Sequence, residues 1–257
     1  MEGMNRARAA AAPAFQASLE GPPPAAEGPL LVVTADGTGV PMRRPPQDGP
    51  PPQHRRTKGQ KANKKQMACG GAVYSIELFV RTAAEIIDEV LGDEKAKQRP
   101  RPQHQHVWAE RTRPIGGIEV PAKEGLFCRL DAELPARNLG QDRRVIGLRD
   151  GERALWDAPQ VYVPAAVGIL DLFHVLERLW AVAHCLHTES SDGAKPFVEY
   201  RRRHLLQGRV RYVISGVRKR RRTERRSGQR RQVVRSAVAY LSNNRDHRRY
   251  DAYLRAG

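Results

Sequence analysis

Two short apolar runs in this chain each lead into an Asp-Gly pair, and this repeated pattern restricts the fold more than any other feature. The first run, PLLVVTADGTGVP, brings Asp36 to the end of a predicted strand, and the second, VIGLRDG, ends in Asp150. Asp-Gly suits the positive φ angles of a tight turn, so Asp36 in a hairpin and Asp150 in an exposed turn are the simplest interpretations. The alternative is a pair of carboxylates held at strand ends to bind a metal ion.

Strand and helix patterns alternate around these two runs. MACGGAVYSIELFV is typical of a strand, and RTAAEIIDEVLGDE has the apolar spacing of an amphipathic helix. EGLFCRLDAEL has helical spacing again, a strand follows at VIGLR, another at residues 167–170, and an apolar helix at residues 172–187. This alternation predicts an α/β fold.

Composition divides the chain into three regions. Residues 1–28 are rich in Ala, Pro and Gly, which predicts a disordered lead-in. Residues 29–188 form the predicted core, with a disordered basic loop at 43–66 and a second proline-rich linker at 99–114. From 189 to 257 no strand pattern persists except a weak VRYVISGV, so we expect a mostly helical basic subdomain.

The net charge limits the partners of the protein. Formal net charge is +17 and the sequence pI is about 10.5, which favours a polyanion such as nucleic acid. Of 45 basic residues 36 are Arg, which suits bidentate phosphate contacts but is also typical of a GC-rich genome. Three scattered cysteines and no long apolar run predict a cytoplasmic protein without membrane insertion or export. With nucleic acid as the expected partner, the protein would be nucleoid-associated.

The charge is concentrated in RKRRRTERRSGQRR, where nine of fourteen residues are basic. Such a stretch is either a solvated, self-repelling face or a surface that follows DNA phosphates and releases counterions. We favour DNA contact. The predicted DNA-binding residues are Arg218, Lys219, Arg220, Arg221, Arg222, Arg225 and Arg226. This stretch carries no aromatic series suited to stacking on bases.

Two further residues have competing interpretations. Asp171 lies where a helix N-cap is expected, and Asp is among the favoured capping residues. His174 lies one turn into the apolar helix, where a core histidine is also common. Helix capping by Asp171 and burial of His174 in the core are therefore as good an explanation as any functional role.

Five strings in order carry a resemblance to a known family: VVTADGTGVPMRR, GAVYSI followed by RT, LRDGERALW, ILDLFHVLERLWAVAH and YLSNNRDHRRYDAYLRAG. From about Leu30 to Gly257 the chain resembles ISKra-type insertion-sequence transposases, which are RNase H-like enzymes of the acidic-triad type. The resemblance implies acidic residues on adjacent strands of a mixed sheet.

The same resemblance implies roles for individual residues. Asp36 and Asp150 would be the first two members of an Asp, Asp, Glu triad and ligands of Mg²⁺ or Mn²⁺. Asp171 and His174 would match an accessory Asp-x-x-His element. The implied partner is double-stranded DNA, both transposon ends and target, and the intact enzyme would act as a homo-oligomer that cleaves and transfers DNA strands.

Two departures from the family pattern shape the expected activity. No end-recognition region precedes Asp36, and no Glu in the family's motif follows the last matching string, so we expect an inactive fragment that still binds DNA. Two alternatives remain open: a non-enzymatic basic DNA-binding protein, and a hydrolytic nuclease with a third carboxylate of its own. Close approach of Asp36 to Asp150 separates the nuclease classes from the binding protein.

Overall fold

The computed structural model describes residues 27–42, 65–90, 97–152, 155–156, 166–187, 192–223 and 228–257. Seven strands lie in this part of the chain: β1 (Leu30–Pro41), β2 (Lys65–Ile76), β3 (Gln103–Arg111), β4 (Arg113–Ile115), β5 (Ile118–Val120), β6 (Arg144–Arg149) and β7 (Val167–Leu170). The helices are α1 (Ala83–Val90), α2 (Ala122–Arg137), α3 (Leu172–Leu186), α4 (Ala194–Leu206), α5 (Val210–Thr223), α6 (Gly228–Asn243) and α7 (Tyr250–Ala256). The protein is therefore mixed α/β.

The main sheet has five strands in the order β3-β2-β1-β6-β7. Strand β2 is antiparallel to both of its neighbours, β3 and β1, whereas β1, β6 and β7 run parallel. A separate two-stranded hairpin joins β4 and β5, and its turn residues Gly116 and Gly117 have φ angles of 58° and 83°, which glycine adopts without strain. The sheet is thus mixed, with parallel strands on one side of β1.

One core lies between the sheet and α2. Alternate residues of β1, Leu31, Val33 and Ala35, point to the same side and are buried against α2. Helix α2 presents Leu126 and Phe127, both fully buried, at the spacing of an apolar helix face. This layer fixes β1 and its neighbours in position.

A second core joins the helices to the end of the sheet. It contains residues of α1, α3, α4, α5 and α6 together with Leu170 of β7, so the carboxy-terminal helices share a core with the sheet's edge strand. Helix α7 returns to the sheet, where Tyr250 Oη donates to Leu170 O at 2.9 Å and Tyr253 Oη donates to Gly168 O at 3.2 Å. On the sheet face opposite α2 there is a mainly apolar cavity of about 650 Å³.

Helix α1 begins with a reciprocal capping arrangement. Thr82 N–H donates to Glu85 Oε2 at 2.7 Å, and Glu85 N–H donates to Thr82 Oγ1 at 3.2 Å. This capping box satisfies two backbone donors that a helix start leaves unpaired. The predicted amphipathic helix is confirmed from Ala83 to Val90, and the residues directly after Val90 are not described.

Three predictions about elements are wrong. Strand β1 continues past Asp36, which pairs with Gly70 of β2, so neither a strand end nor a hairpin turn lies there. The predicted linker at 99–114 contains β3, because its alternating residues pair with β2 along one edge of the sheet. VRYVISGV lies in α5, where buried Val210, Val213, Ile214 and Val217 follow helical spacing.

The predicted disordered segments fall mostly outside the described residues. Residues 1–26 of the lead-in and 43–64 of the basic loop lie outside them. The remaining residues differ from expectation: Lys65 and Gln66 belong to β2, and Glu27 and Gly28 have defined contacts. No helix in the described part of the chain is long and apolar enough to cross a membrane.

Two adjacent glycines of β2 provide a matched test of this packing. A Cβ at Gly71 would lie 2.7 Å from Thr34 O and 3.0 Å from Leu126 Cδ1, whereas a Cβ at Gly70 would meet only Trp108 O at 3.9 Å. We expect Gly71→Ala to destabilise the fold by about 1–3 kcal/mol, because β1 and α2 must move apart. Gly70→Ala is expected to be neutral or slightly stabilising, and urea unfolding of both variants measures the difference. Equal stabilities would contradict this packing.

Candidate functional site

Three aspartates occupy the same step of three neighbouring parallel strands. The paired register of β1 and β6 ends at Ala35 and Arg149, so Asp36 and Asp150 come next on each strand. The register of β6 and β7 ends at Arg149 and Leu170, and Asp171 follows directly. Asp171 N–H donates to Arg149 O at 2.8 Å, which continues the pairing. The chain therefore brings Asp36, Asp150 and Asp171 to neighbouring positions where the parallel pairing of β1, β6 and β7 ends.

Strand alternation places Asp36 and Asp150 on the same face. Leu30 and Val32 of β1 and Leu148 of β6 line the cavity opposite α2. Because side chains alternate between faces, Asp36 and Asp150 follow these residues on the side away from α2. Asp36 is exposed and Asp150 is half-buried, so water and ions reach both carboxylates.

Each aspartate is oriented by a backbone hydrogen bond to one of its oxygens. Asp36 Oδ1 accepts from Gly37 N–H at 2.8 Å, and Asp150 Oδ1 accepts from Glu152 N–H at 2.7 Å. Asp171 Oδ1 accepts from Phe173 N–H at 2.8 Å, which is the N-cap bond of α3. Asp171 therefore caps α3 as expected, and no backbone donor from the described residues is bonded to its Oδ2 atom.

His174 lies between two carboxylates rather than in the core. Its Nε2 atom is 3.9 Å from Asp171 Oδ2, and its Nδ1 atom is 3.4 Å from Glu177 Oε2. The side chain is 33% exposed, so the core-histidine interpretation is wrong. The Asp-x-x-His pair therefore lies on the first turn of α3, next in the sheet order to Asp150.

Glu152 is a fourth carboxylate at this edge that the sequence interpretation missed. Its Oε2 atom lies 3.3 Å from the position that a Cβ on Gly37 would take, so Glu152 reaches back to β1. Burial raises the pKa of the Cys69 thiol, and the charges of Glu152, Asp36 and Asp150 raise it further. The only sequence signal for Glu152 is its position two residues after Asp150.

Tyr240 of α6 packs against Gly151, the residue after Asp150. The ring packs so closely on Gly151 that any side chain there would collide with it, which explains the glycine of the second Asp-Gly pair. Burial, and next the charge of Asp150, raise the pKa of Tyr240 to about 12. Tyr240 therefore stays protonated at neutral pH and adds no further negative charge.

The last residue of β6 is a buried arginine that lies near two aromatic rings. Arg149 is 4% exposed, and its guanidinium carbon lies 5.9 Å from the Phe127 ring centroid and 5.3 Å from that of Trp156. Burial lowers the pKa of Arg149 to about 10, so it is still a cation at neutral pH. Gly147 makes room for it, since a Cβ there would lie 2.7 Å from Arg149 Nη2.

The donor set suits a hard cation with much of its water retained. Within the part of the chain that the structure describes, no group of three or more His, Cys, Asp and Glu side chains is arranged to hold a metal ion. Mg²⁺ usually keeps several waters and takes only one or two protein carboxylates. Asp36 and Asp150 fit that requirement, because in the part of the chain that the structure describes the backbone bonds only to Oδ1 of each.

The predicted DNA-binding residues are only partly described. Arg218 and Lys219 are exposed on α5. Arg220, Arg221 and Arg222 continue the same helix, although their side chains are not among the described residues, and Arg225 and Arg226 lie outside the described residues altogether. Exposed Arg230 and Arg231 begin α6. The described arginines and lysine thus extend the basic surface over two packed helices.

No protein-family model matches this chain, and neither a curated protein nor a solved structure matches it significantly.

Proposed function

We propose that the protein is a metal-dependent DNA-processing protein of the RNase H-like, acidic-triad type, related to ISKra-type transposases. The observation that carries the proposal is that Asp36 and Asp150 directly follow Ala35 and Arg149, the last paired residues of two neighbouring parallel strands. That placement agrees with acidic residues on adjacent strands of a mixed sheet, as the sequence resemblance implies. The strand order β3-β2-β1-β6-β7 supplies the mixed sheet.

Asp36 and Asp150 would hold a divalent cation through their Oδ2 atoms, because backbone donors already occupy Oδ1 of each. When bound, Mg²⁺ or Mn²⁺ supplies charge neutralisation for an attacking and a leaving oxygen in phosphoryl transfer. Asp171 and His174 lie beside Asp150 and would orient water or a phosphate at the edge of the site. The basic face of α5 and α6 would hold the DNA backbone.

The first test is metal binding by matched isosteric variants. We expect Asp36→Asn and Asp150→Asn each to weaken Mn²⁺ binding by at least about tenfold, because each removes one of two anionic ligands. The asparagine oxygen still accepts the backbone hydrogen bond, so the fold is retained. Titration followed by electron paramagnetic resonance of free Mn²⁺ measures the affinity.

The control for that titration is Asp131→Asn, an exposed carboxylate on α2, the helix that packs on the opposite face of the sheet. It removes the same charge and is expected to leave Mn²⁺ affinity unchanged. If the Asn variants at positions 36 and 150 bind Mn²⁺ as tightly as the unaltered protein, the proposed site is wrong. A loss of affinity equal to that of Asp131→Asn would show only a general charge effect and would overturn it too.

The second candidate is a non-enzymatic basic DNA-binding protein. The observation that favours it is the lack of a third metal-ligating side chain in position among the described residues, beside an exposed basic surface on α5 and α6. A strand-nicking assay with Mn²⁺ discriminates between the candidates. Slow nicking that Asp150→Asn abolishes supports the first candidate, whereas duplex binding without metal binding or nicking supports the second.

A further inference from the structure

Three aromatic side chains from two helices meet on the surface of the helical half. Tyr200 and His204 lie one turn apart on α4, with ring centroids 4.5 Å apart. Tyr212 of α5 lies 4.8 Å from the His204 ring, and the two tyrosine hydroxyls are 2.8 Å apart. We call Tyr200, His204 and Tyr212 the aromatic cluster.

A tight turn between α4 and α5 fixes the geometry of the aromatic cluster. Gly208 N–H donates to Leu205 O at 3.0 Å, and Arg209 N–H donates to His204 O at 2.8 Å, with Gly208 at a φ of 75°. This is the Schellman termination of a helix, which needs a left-handed residue. A Cβ on Gly208 would lie 2.6 Å from Asp251 Cγ, so the turn also packs closely against α7.

The two tyrosines of the aromatic cluster lie on the surface. Tyr200 is 50% exposed and Tyr212 is 54% exposed, so about half of each residue is accessible to solvent. Beneath them the helices pack through fully or almost fully buried Leu205 and Val213, which shows that the tyrosines are not needed to fill the core. Exposed aromatic rings held in fixed positions are a feature of binding surfaces.

The charge around the aromatic cluster is positive. Arg203 and Arg209 are exposed, and burial together with the charges of Arg209, Arg203 and Arg201 lowers the pKa of His204. The nearest acidic residue on α4, Glu199, faces Lys195 at 3.9 Å. Arg211 beside Tyr212 is exposed as well, and the same helix continues into Arg218 and Lys219.

We propose that the aromatic cluster stacks on the unpaired bases of single-stranded DNA, while the surrounding arginines hold its phosphates. Aromatic faces in a positively charged groove are the usual means of binding single strands without reading their sequence. The inference rests on the proposed function, because strand cleavage and transfer leave unpaired DNA ends. It assigns those ends to the junction of α4 and α5, apart from the carboxylates of the sheet edge.

The test compares a labelled oligo-dT of about 20 nucleotides with an abasic strand of equal length, using fluorescence anisotropy. Both strands carry the same phosphates, but the abasic strand has no bases. Only the oligo-dT can therefore stack on the aromatic rings. We expect the unaltered protein to bind oligo-dT more tightly than the abasic strand. Tyr200→Ala and Tyr212→Ala should each weaken oligo-dT binding by roughly tenfold or more and leave abasic binding unchanged.

Conservative and distant variants separate stacking from folding. Tyr200→Phe and Tyr212→Phe keep the rings and lose only the hydroxyl pair, so they should bind oligo-dT like the unaltered protein. Trp180→Ala removes another exposed aromatic ring, which stacks at 5.6 Å on His184 of α3, and should have no effect. Oligo-rU should bind as oligo-dT does, because stacking does not depend on the 2′-hydroxyl.

Three results would overturn the inference: equal binding of oligo-dT and the abasic strand, Ala variants that bind oligo-dT normally, or Phe variants as weak as the Ala variants. These outcomes are independent of the metal site, since Mn²⁺ binding and duplex binding are measured separately. If the unaltered protein stacks on oligo-dT but does not bind Mn²⁺, the proposed function is refuted and the aromatic cluster is not. Intact Mn²⁺ binding without stacking would refute the aromatic cluster alone.

Discussion

Raising the salt concentration from about 50 mM to about 200 mM is expected to weaken duplex DNA binding by roughly 10³-fold or more. The protein has a formal net charge of +17, and the exposed basic residues described on these helices include Arg211, Arg218 and Lys219 of α5 and Arg230 and Arg231 of α6. Binding through phosphate contacts releases counterions, and added salt opposes that release. The same loss is expected for every duplex sequence, because these contacts do not read bases. Anisotropy titrations over a salt series measure it.

A pair of charge variants locates the contacts. Replacing Arg218 and Lys219 together by Gln should lower the slope of log affinity against log salt by about 2, since each lost phosphate contact contributes about 0.9. The matched control replaces Arg101 and Arg144, two exposed arginines close to the starts of β3 and β6, and removes the same charge. Salt-insensitive binding, or no binding at low salt, would contradict a phosphate-tracking surface.

Glu27→Gln is expected to destabilise the fold by about 3–5 kcal/mol, because it removes the carboxylate that Arg137 and Arg143 share in a largely buried position. Glu27 Oε2 accepts from Arg137 Nη2 at 2.8 Å, from Arg143 Nη1 at 2.7 Å and from Ser75 Oγ at 2.8 Å. The Glu27 side chain is 7% exposed and that of Arg137 is 9% exposed. The network joins the segment that leads into β1 to β2, to the end of α2 and to the residue before β6.

Chemical denaturation measures that loss, with Lys195→Ala as the control. Lys195 forms a surface pair with Glu199 at 3.9 Å, its side chain is 69% exposed, and such pairs contribute about 0–1 kcal/mol. We expect the control to change stability by much less than Glu27→Gln. Equal effects of the two substitutions would mean that the buried network does not hold the sheet together.

The same network predicts the acid side of the stability profile. Burial alone would raise the pKa of Glu27, but hydrogen bonds from Arg137 and Ser75 and the two arginine charges outweigh it, so the pKa is lowered. A carboxyl with a lowered pKa in the folded state adds stability that is present above its unfolded pKa and lost as pH falls through the folded pKa. Glu27→Gln should therefore flatten the fall in stability at acid pH.

Elements with a strong local pattern could be predicted from the sequence. Helix α3 has an apolar face and an Asp at its N-cap, and both signals lie within one stretch of chain. Strand β6 and the Asp after it were predicted for the same reason, as was α2 with its buried Leu126, Phe127 and Leu130. The placement of Asp36 beside Asp150 on neighbouring strands was expected from the family resemblance rather than from strand ends, because β1 continues past Asp36.

Other elements depended on partners distant in sequence. Strand β3 is polar and proline-flanked, and it is a strand because β2 supplies its hydrogen bonds. Strand β1 passes through Asp36 for the same reason, since Gly70 of β2 pairs with it where the local Asp-Gly sequence favoured a turn. Helix α5 overrides a weak strand pattern by burying Val213 and Val217 against its neighbours.

The sequence by itself determined the charge, the alternation of strands and helices, and the two Asp-Gly positions, because these depend on residue type and local spacing. Only the tertiary structure placed Glu152 beside β1, closed Tyr240 over Gly151 and joined Tyr200 to Tyr212. It also buried Glu27 between two arginines. These contacts form between side chains far apart in the chain, and their free energy appears only when the sheet and helices pack together.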